Sequence, residues 1–91
     1  MANDTSRKPW SLDTAAVITA DRMRIQSLRW VILSGGATGD NLQLEDSNGE
    51  RIWESVNTAG TEFNDVDYPY ADFEGFEVAA IDAGILYVTL G

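Results

Sequence analysis

The chain has 91 residues and is 44% hydrophobic, enough for one small globular domain with a thin core. It sets fifteen acids against six bases, a formal net charge of −9, and contains neither Cys nor His. That composition excludes disulfide staples, thiolate or imidazole metal sites, a thiol nucleophile and the commonest general base. All six basic residues lie in the first 51 positions with seven acids, whereas the last forty carry eight acids and no base. No phosphate-gripping basic patch is expected, so nucleic acid is not an expected partner, and the acidic half reads as a soluble, self-repelling surface. The start has no apolar signal-like stretch, and the longest apolar run, Trp30-Val31-Ile32-Leu33, is far short of a membrane span. An aqueous compartment and no membrane partner follow as expectations.

Residues 1–12 are polar, contain Pro9 and show neither helical nor strand periodicity, which predicts an extended arm, with a single β-domain over 13–91. The stretch from Ser11 to Asp21 favours a strand over a helical turn, through Thr14, Val17, Ile18 and Thr19. Met23 and Ile25 alternate with polar neighbours, but Leu28, Trp30 and Ile32 continue on even numbers. A period of two cannot absorb that slip without a bulge or bend near Gln26-Ser27. The glycine-rich stretch 34–39 resembles a phosphate cradle superficially, but no Lys and no helix pattern follow, so it reads as a connecting loop. Residues 41–46 and 51–56 form a hairpin around Asn48-Gly49, both tolerant of positive φ. Residues 57–72 read as a long acidic loop with a short edge strand near Glu62-Phe63. Phe76, Val78 and Ala80 alternate as a strand; after the Asp82-Ala83-Gly84 turn, Leu86, Val88 and Leu90 form a closing strand expected inside a sheet. Five to seven short strands without a helix predict an all-β fold, a small antiparallel sandwich or open barrel.

Residues able to carry chemistry are few. Asp65, Asp67, Asp72 and Glu74 could offer four oxygens to a hard cation, but their spacing departs from the twelve-residue calcium loop, and a solvated acidic segment pinned by Tyr68, Tyr70 and Phe73 is the simpler reading. No spacing selects a carboxylate pair for glycoside hydrolysis. No catalytic residue and no cofactor are expected. Trp10, in the arm beside Arg7 and Lys8, has the character of an anchor, since Trp and Arg dominate interface energetics, though it could equally fold back onto its own domain. Arg22 and Arg24 share one strand face, and Arg29 joins them if the bulge lies near Gln26. This basic stripe either meets a partner or pairs with the acidic half.

Several segments carry a resemblance: Leu28-Arg29-Trp30-Val31, Gly39-Asp40 before Leu42 and Leu44, Asp46 and Asn48-Gly49 before Ile52-Trp53-Glu54, and Gly84-Ile85-Leu86-Tyr87-Val88. Over residues 23–91 the chain resembles small β-rich structural proteins of tailed bacteriophages, of the capsid decoration or cement kind. The resemblance implies a virion component and no catalytic residue. The expected partner is the major capsid protein, bound across capsomers through Arg7, Lys8, Trp10, Arg22, Arg24 and Arg29. The expected location is the capsid surface, after synthesis in the host cytoplasm. Unprotected strand edges in so small a domain add the expectation of a homotrimer matching local threefold sites. The alternatives are an acidic decoy for a basic host protein, motivated by the acidic second half, and a sugar-binding module using Trp53, Tyr68 and Tyr70.

Overall fold

The computed structural model describes residues 3–6 and 9–91. Seven strands follow one another: β1 (Trp10–Leu12), β2 (Ala16–Ile32), β3 (Asn41–Glu45), β4 (Arg51–Val56), β5 (Phe63–Asp67), β6 (Ala71–Ile81) and β7 (Ile85–Leu90). All pairings are antiparallel within one sheet, ordered β1-β7-β2-β6-β3-β4, with β5 paired to β2 off this path. The domain is all-β, with no helix among the described residues, and its sheet is not closed into a barrel.

The 17-residue β2 organises the fold. Its register with the later chain runs almost continuously, from Ile32↔Phe63 and Leu28↔Asp67 on β5 to Ile25↔Ala71 and Ala16↔Val78 on β6. The two strands therefore line one side of β2 as a single long strand interrupted at Tyr68-Pro69-Tyr70. On its other side the C-terminal half of β2 pairs with β7, from Ile25↔Leu90 to Val31↔Ile85. The register there shifts between Ile25 and Ser27, where the hydrophobic phase slips in the sequence. The extra residue turns Leu28, Trp30 and Ile32 toward the same interior as Ile25, and all four are buried.

The remaining core comes from Leu12, Leu42, Leu44, Phe76, Val78, Leu86 and Val88. Trp30 is fully buried, and its Nε1–H donates to the Ala83 carbonyl at 2.9 Å, so the largest core side chain also fixes the β6–β7 turn. In that turn Gly84 has φ +78°, and a Cβ there would lie 2.4 Å from the Val31 carbonyl oxygen; only glycine permits this approach.

The β3–β4 hairpin forms as its sequence predicts. The closing strand β7 lies inside the sheet, between β1 and β2. The 34–39 segment is a connecting loop and is held by Asn57, which is fully buried. The Asn57 Nδ2 donates to the carbonyls of Gly60 and Ala37, and its Oδ1 accepts from the Ala59 and Gly60 amides. One side chain thus ties together two loops that lack strand partners.

Two expectations need correction. The arm over 1–12 is not free along its length, because Trp10–Leu12 pair with Val88, Tyr87 and Leu86. Alternation explains this: Trp10 and Leu12 face the core, and Leu12 is wholly buried, with only one polar residue between them. Residues 57–72, expected as a loop with a short edge strand near Glu62-Phe63, hold more strand than that: β5 runs over Phe63–Asp67, and β6 begins at Ala71.

Candidate functional site

The structure disperses the residues expected to form sites. The carboxylates of β5 lie on the sheet face of the core residues they oppose, Asp65 beside Trp30 and the exposed Asp67 beside Leu28. Asp65 accepts the Ser55 hydroxyl, and Asp67 accepts the Trp53 Nε1–H at 3.0 Å. These side-chain bonds bridge β4 and β5, which do not pair through their backbones, and so give the open side of the sheet a polar seam. Asp72 and Glu74 instead lie on β6, opposite Arg24 and Arg22 of β2. Arg22 bonds Asp72 at 3.1 Å and approaches Glu74 at 3.7 Å, and Arg24 reaches Asp72 at 3.5 Å. Among the described residues no group of three or more acids could hold a metal ion, and the four carboxylates weighed as cation candidates, Asp65, Asp67, Asp72 and Glu74, are not brought together.

The expected partner-binding residues also separate. Arg7 and Lys8 lie outside the described residues. Trp10 packs edge-on against Phe76, with ring centroids 6.4 Å apart, and contributes to its own core rather than standing out as an anchor. Arg22 and Arg24 take the intramolecular alternative, paired with the acidic half. Arg29 behaves differently. Its Nε–H donates to Asn64 Oδ1 at 3.2 Å, and among the described basic residues it alone has no ion pair, since Arg51 is held by Glu45 and Glu54.

Arg29 sits where the bulge of β2 puts odd-numbered residues outside. Across β7, the C-terminal half of β2 and β5, the outer face presents Tyr87, Arg29, Val31, Leu33, Asn64, Val66 and Tyr68. These residues, with Pro9, line a shallow groove of about 610 Å³. A second depression of about 600 Å³ shares Arg29, Val31, Leu33 and Asn64 and extends toward Ala59 and Glu62. Leu33 is 77% exposed, Tyr68 60% and Val66 42%, an unusual amount of apolar surface in one place on so acidic a small domain. At the edge of this face Tyr68 and Tyr70 stack, with centroids 6.2 Å apart and planes 20° apart. Tyr70 holds a φ of +48°, in the left-handed region that bulky residues rarely adopt.

This face is not legible in the sequence, where residues 57–72 read as a loop and β5 is largely concealed. A signal was nonetheless present: Trp30-Val31-Ile32-Leu33 is apolar on both alternating faces, a pattern of strands covered on both sides. No protein-family model, curated protein or solved structure matches this chain.

Proposed function

We propose that this chain is a non-enzymatic structural component of a tailed-phage virion, a decoration or cement protein that binds the major capsid protein across capsomers. The observation that carries the reading is the exposed apolar face over β7, β2 and β5, with Arg29 at its centre. A surface of this kind gains free energy when a partner covers it, and an assembly module needs such a surface more than it needs a pocket. The resemblance of residues 23–91 to phage structural proteins supplies the class of partner. The docking surface moves from the expected arm to this face, because Trp10 and the Arg22–Arg24 stripe are engaged within the domain. The binding reading also accords with how the carboxylates of β5 and β6 are used, as acceptors for Trp53, Ser55 and arginines.

Self-association as a homotrimer belongs to the same proposal. Among the described residues the N-terminal half of β2 pairs only with β6, β4 only with β3 and β5 only with β2, leaving strand edges that neighbouring copies could cover. Sedimentation equilibrium checks this directly: a trimer is expected at tens of micromolar, and a clean monomer contradicts it. The virion role is tested by quantitative mass spectrometry of purified particles. The protein is expected at a copy number comparable to that of the capsid subunits, and its absence refutes the role.

A second reading has its own observation. The stacked and exposed Tyr68 and Tyr70 form a platform of the kind that sugars stack on. Trp53, expected to join them, is instead half-buried and bonded to Asp67. A glycan array with the wild-type protein and Tyr70→Ala separates this reading from docking to a protein.

A further inference from the structure

In an alternating strand one face is wet; a strand that is apolar on both faces belongs to a sheet covered on both sides. Residues 30–33 have that doubly apolar character, yet the described residues bury only the side of Trp30 and Ile32. Val31 and Leu33 face outward, and Val66 of β5, with Tyr68 just beyond that strand, extends their patch. None of the described residues lining the larger groove is acidic, although the chain as a whole has nine more acids than bases. Within it Arg29 is oriented through its Nε–H by Asn64, which leaves its two terminal amino groups as paired donors. A guanidinium held in this way matches a carboxylate bidentately, in an apolar surround that strengthens the contact.

We infer that this groove receives an extended polypeptide segment of the partner carrying one Asp or Glu, with apolar side chains two and four residues away. The inference rests on the docking reading above and specifies its ligand. The spacing comes from β2 itself. From Ser27 to Leu33 the strand spans about 20 Å at ~3.3 Å per residue, and alternate residues of an extended ligand would repeat at the same interval. A carboxylate over Arg29 then sets its second and fourth neighbours over Val31 and Leu33. The width from β7 to β5, about 10 Å at ~4.8 Å between strands, admits one such segment.

The test uses the full-length protein and a random heptapeptide library. Selection is expected to enrich peptides with a single Asp or Glu spaced two and four residues from apolar side chains. The enriched peptide, synthesised with a fluorophore, is then titrated by anisotropy. Arg29→Gln in the protein, or the acid-to-amide change in the peptide, is expected to weaken binding at least tenfold. Combining the two changes should cost little more than either alone, and Arg29→Lys should recover part of the loss. Leu33→Ser is expected to weaken binding severalfold without altering its salt dependence, and Arg51→Gln should leave binding unchanged. Enrichment without an acidic position, or binding indifferent to Arg29→Gln, overturns the inference. So does a groove occupied by a second copy, seen as self-association abolished by Leu33→Ser, or one that takes a uronic-acid oligosaccharide in preference to the peptide. The outcomes stay separable from the virion role: a protein abundant in particles whose peptide binding ignores Arg29 loses the inference and keeps the role. One that binds the peptide but is missing from particles does the reverse.

Discussion

Replacing Asn57 with Ala should damage this domain more than any other single polar substitution. The side chain is fully buried and makes four hydrogen bonds, two donated to carbonyls (Gly60 at 2.6 Å, Ala37 at 3.1 Å) and two accepted from amides (Ala59 and Gly60, both 2.9 Å). Its backbone bonds to Asp40 and Gly39 would survive the change. Ala37 would keep a second partner in the Asp40 amide, but the two amides of the 57–60 turn would lose theirs. At about 1 kcal/mol per net bond, with more where a buried group is left unsatisfied, the loss comes to about 3–4 kcal/mol. A chain of this length has a total stability of roughly 5–14 kcal/mol, so the variant should remain folded but melt about 15–25 °C lower. Asn57→Asp separates hydrogen bonding from shape. It keeps the acceptor for both amides but turns a carboxylate toward two carbonyls, so it should be at least as destabilising at neutral pH. Burial raises the folded-state pKa of such a carboxyl, so the deficit should shrink as pH falls toward ~4, where the protonated group can donate to Gly60 again. Thermal melts followed by circular dichroism measure both. An Asn57→Ala midpoint within about 5 °C of wild type would refute the claim that this residue holds the two loops together.

Trp10→Ala should cost about 2–3 kcal/mol in urea denaturation, below the range for a fully buried Trp because the ring is half-exposed, whereas an anchor unpacked from its domain would cost nothing. The double change Arg22→Ala with Arg24→Ala should alter stability by no more than about 1 kcal/mol, since both arginines are more than half exposed in their ion pairs, and the small loss should fade further as salt is raised.

Local rules carried the sequence reading a long way where the chain pairs with its near neighbours. The β3–β4 hairpin follows from Asn48-Gly49, and the bulge near Gln26 follows from a change of parity between Ile25 and Leu28. Long-range placement was harder to read. Trp10 and Leu12 reveal themselves as a strand only through β7, more than seventy residues later, because three residues are too few to show a period. In β5 the usual order is inverted: Asp65 and Asp67 share the face of Trp30 and Leu28 and bond across a polar seam, while Val66, with Tyr68 just beyond the strand, faces out. A strand with polar residues on its core side imitates a loop, and the apolar outer face is hidden with it. Asn57 gave no signal at all, since an isolated Asn after a strand is ordinary turn chemistry until burial shows otherwise.

The central claim is that the outer face of β7, β2 and β5 attaches this protein to a virion. Cosedimentation with particles assembled without it, comparing wild type, Arg29→Gln, Val31→Asp and Arg51→Gln after their melting temperatures are shown to match, tests this most directly. Wild type and Arg51→Gln are expected to bind saturably at a fixed number of copies per particle, while Arg29→Gln and Val31→Asp stay in the supernatant. Equal binding by all four proteins, or no binding by wild type, would contradict the account.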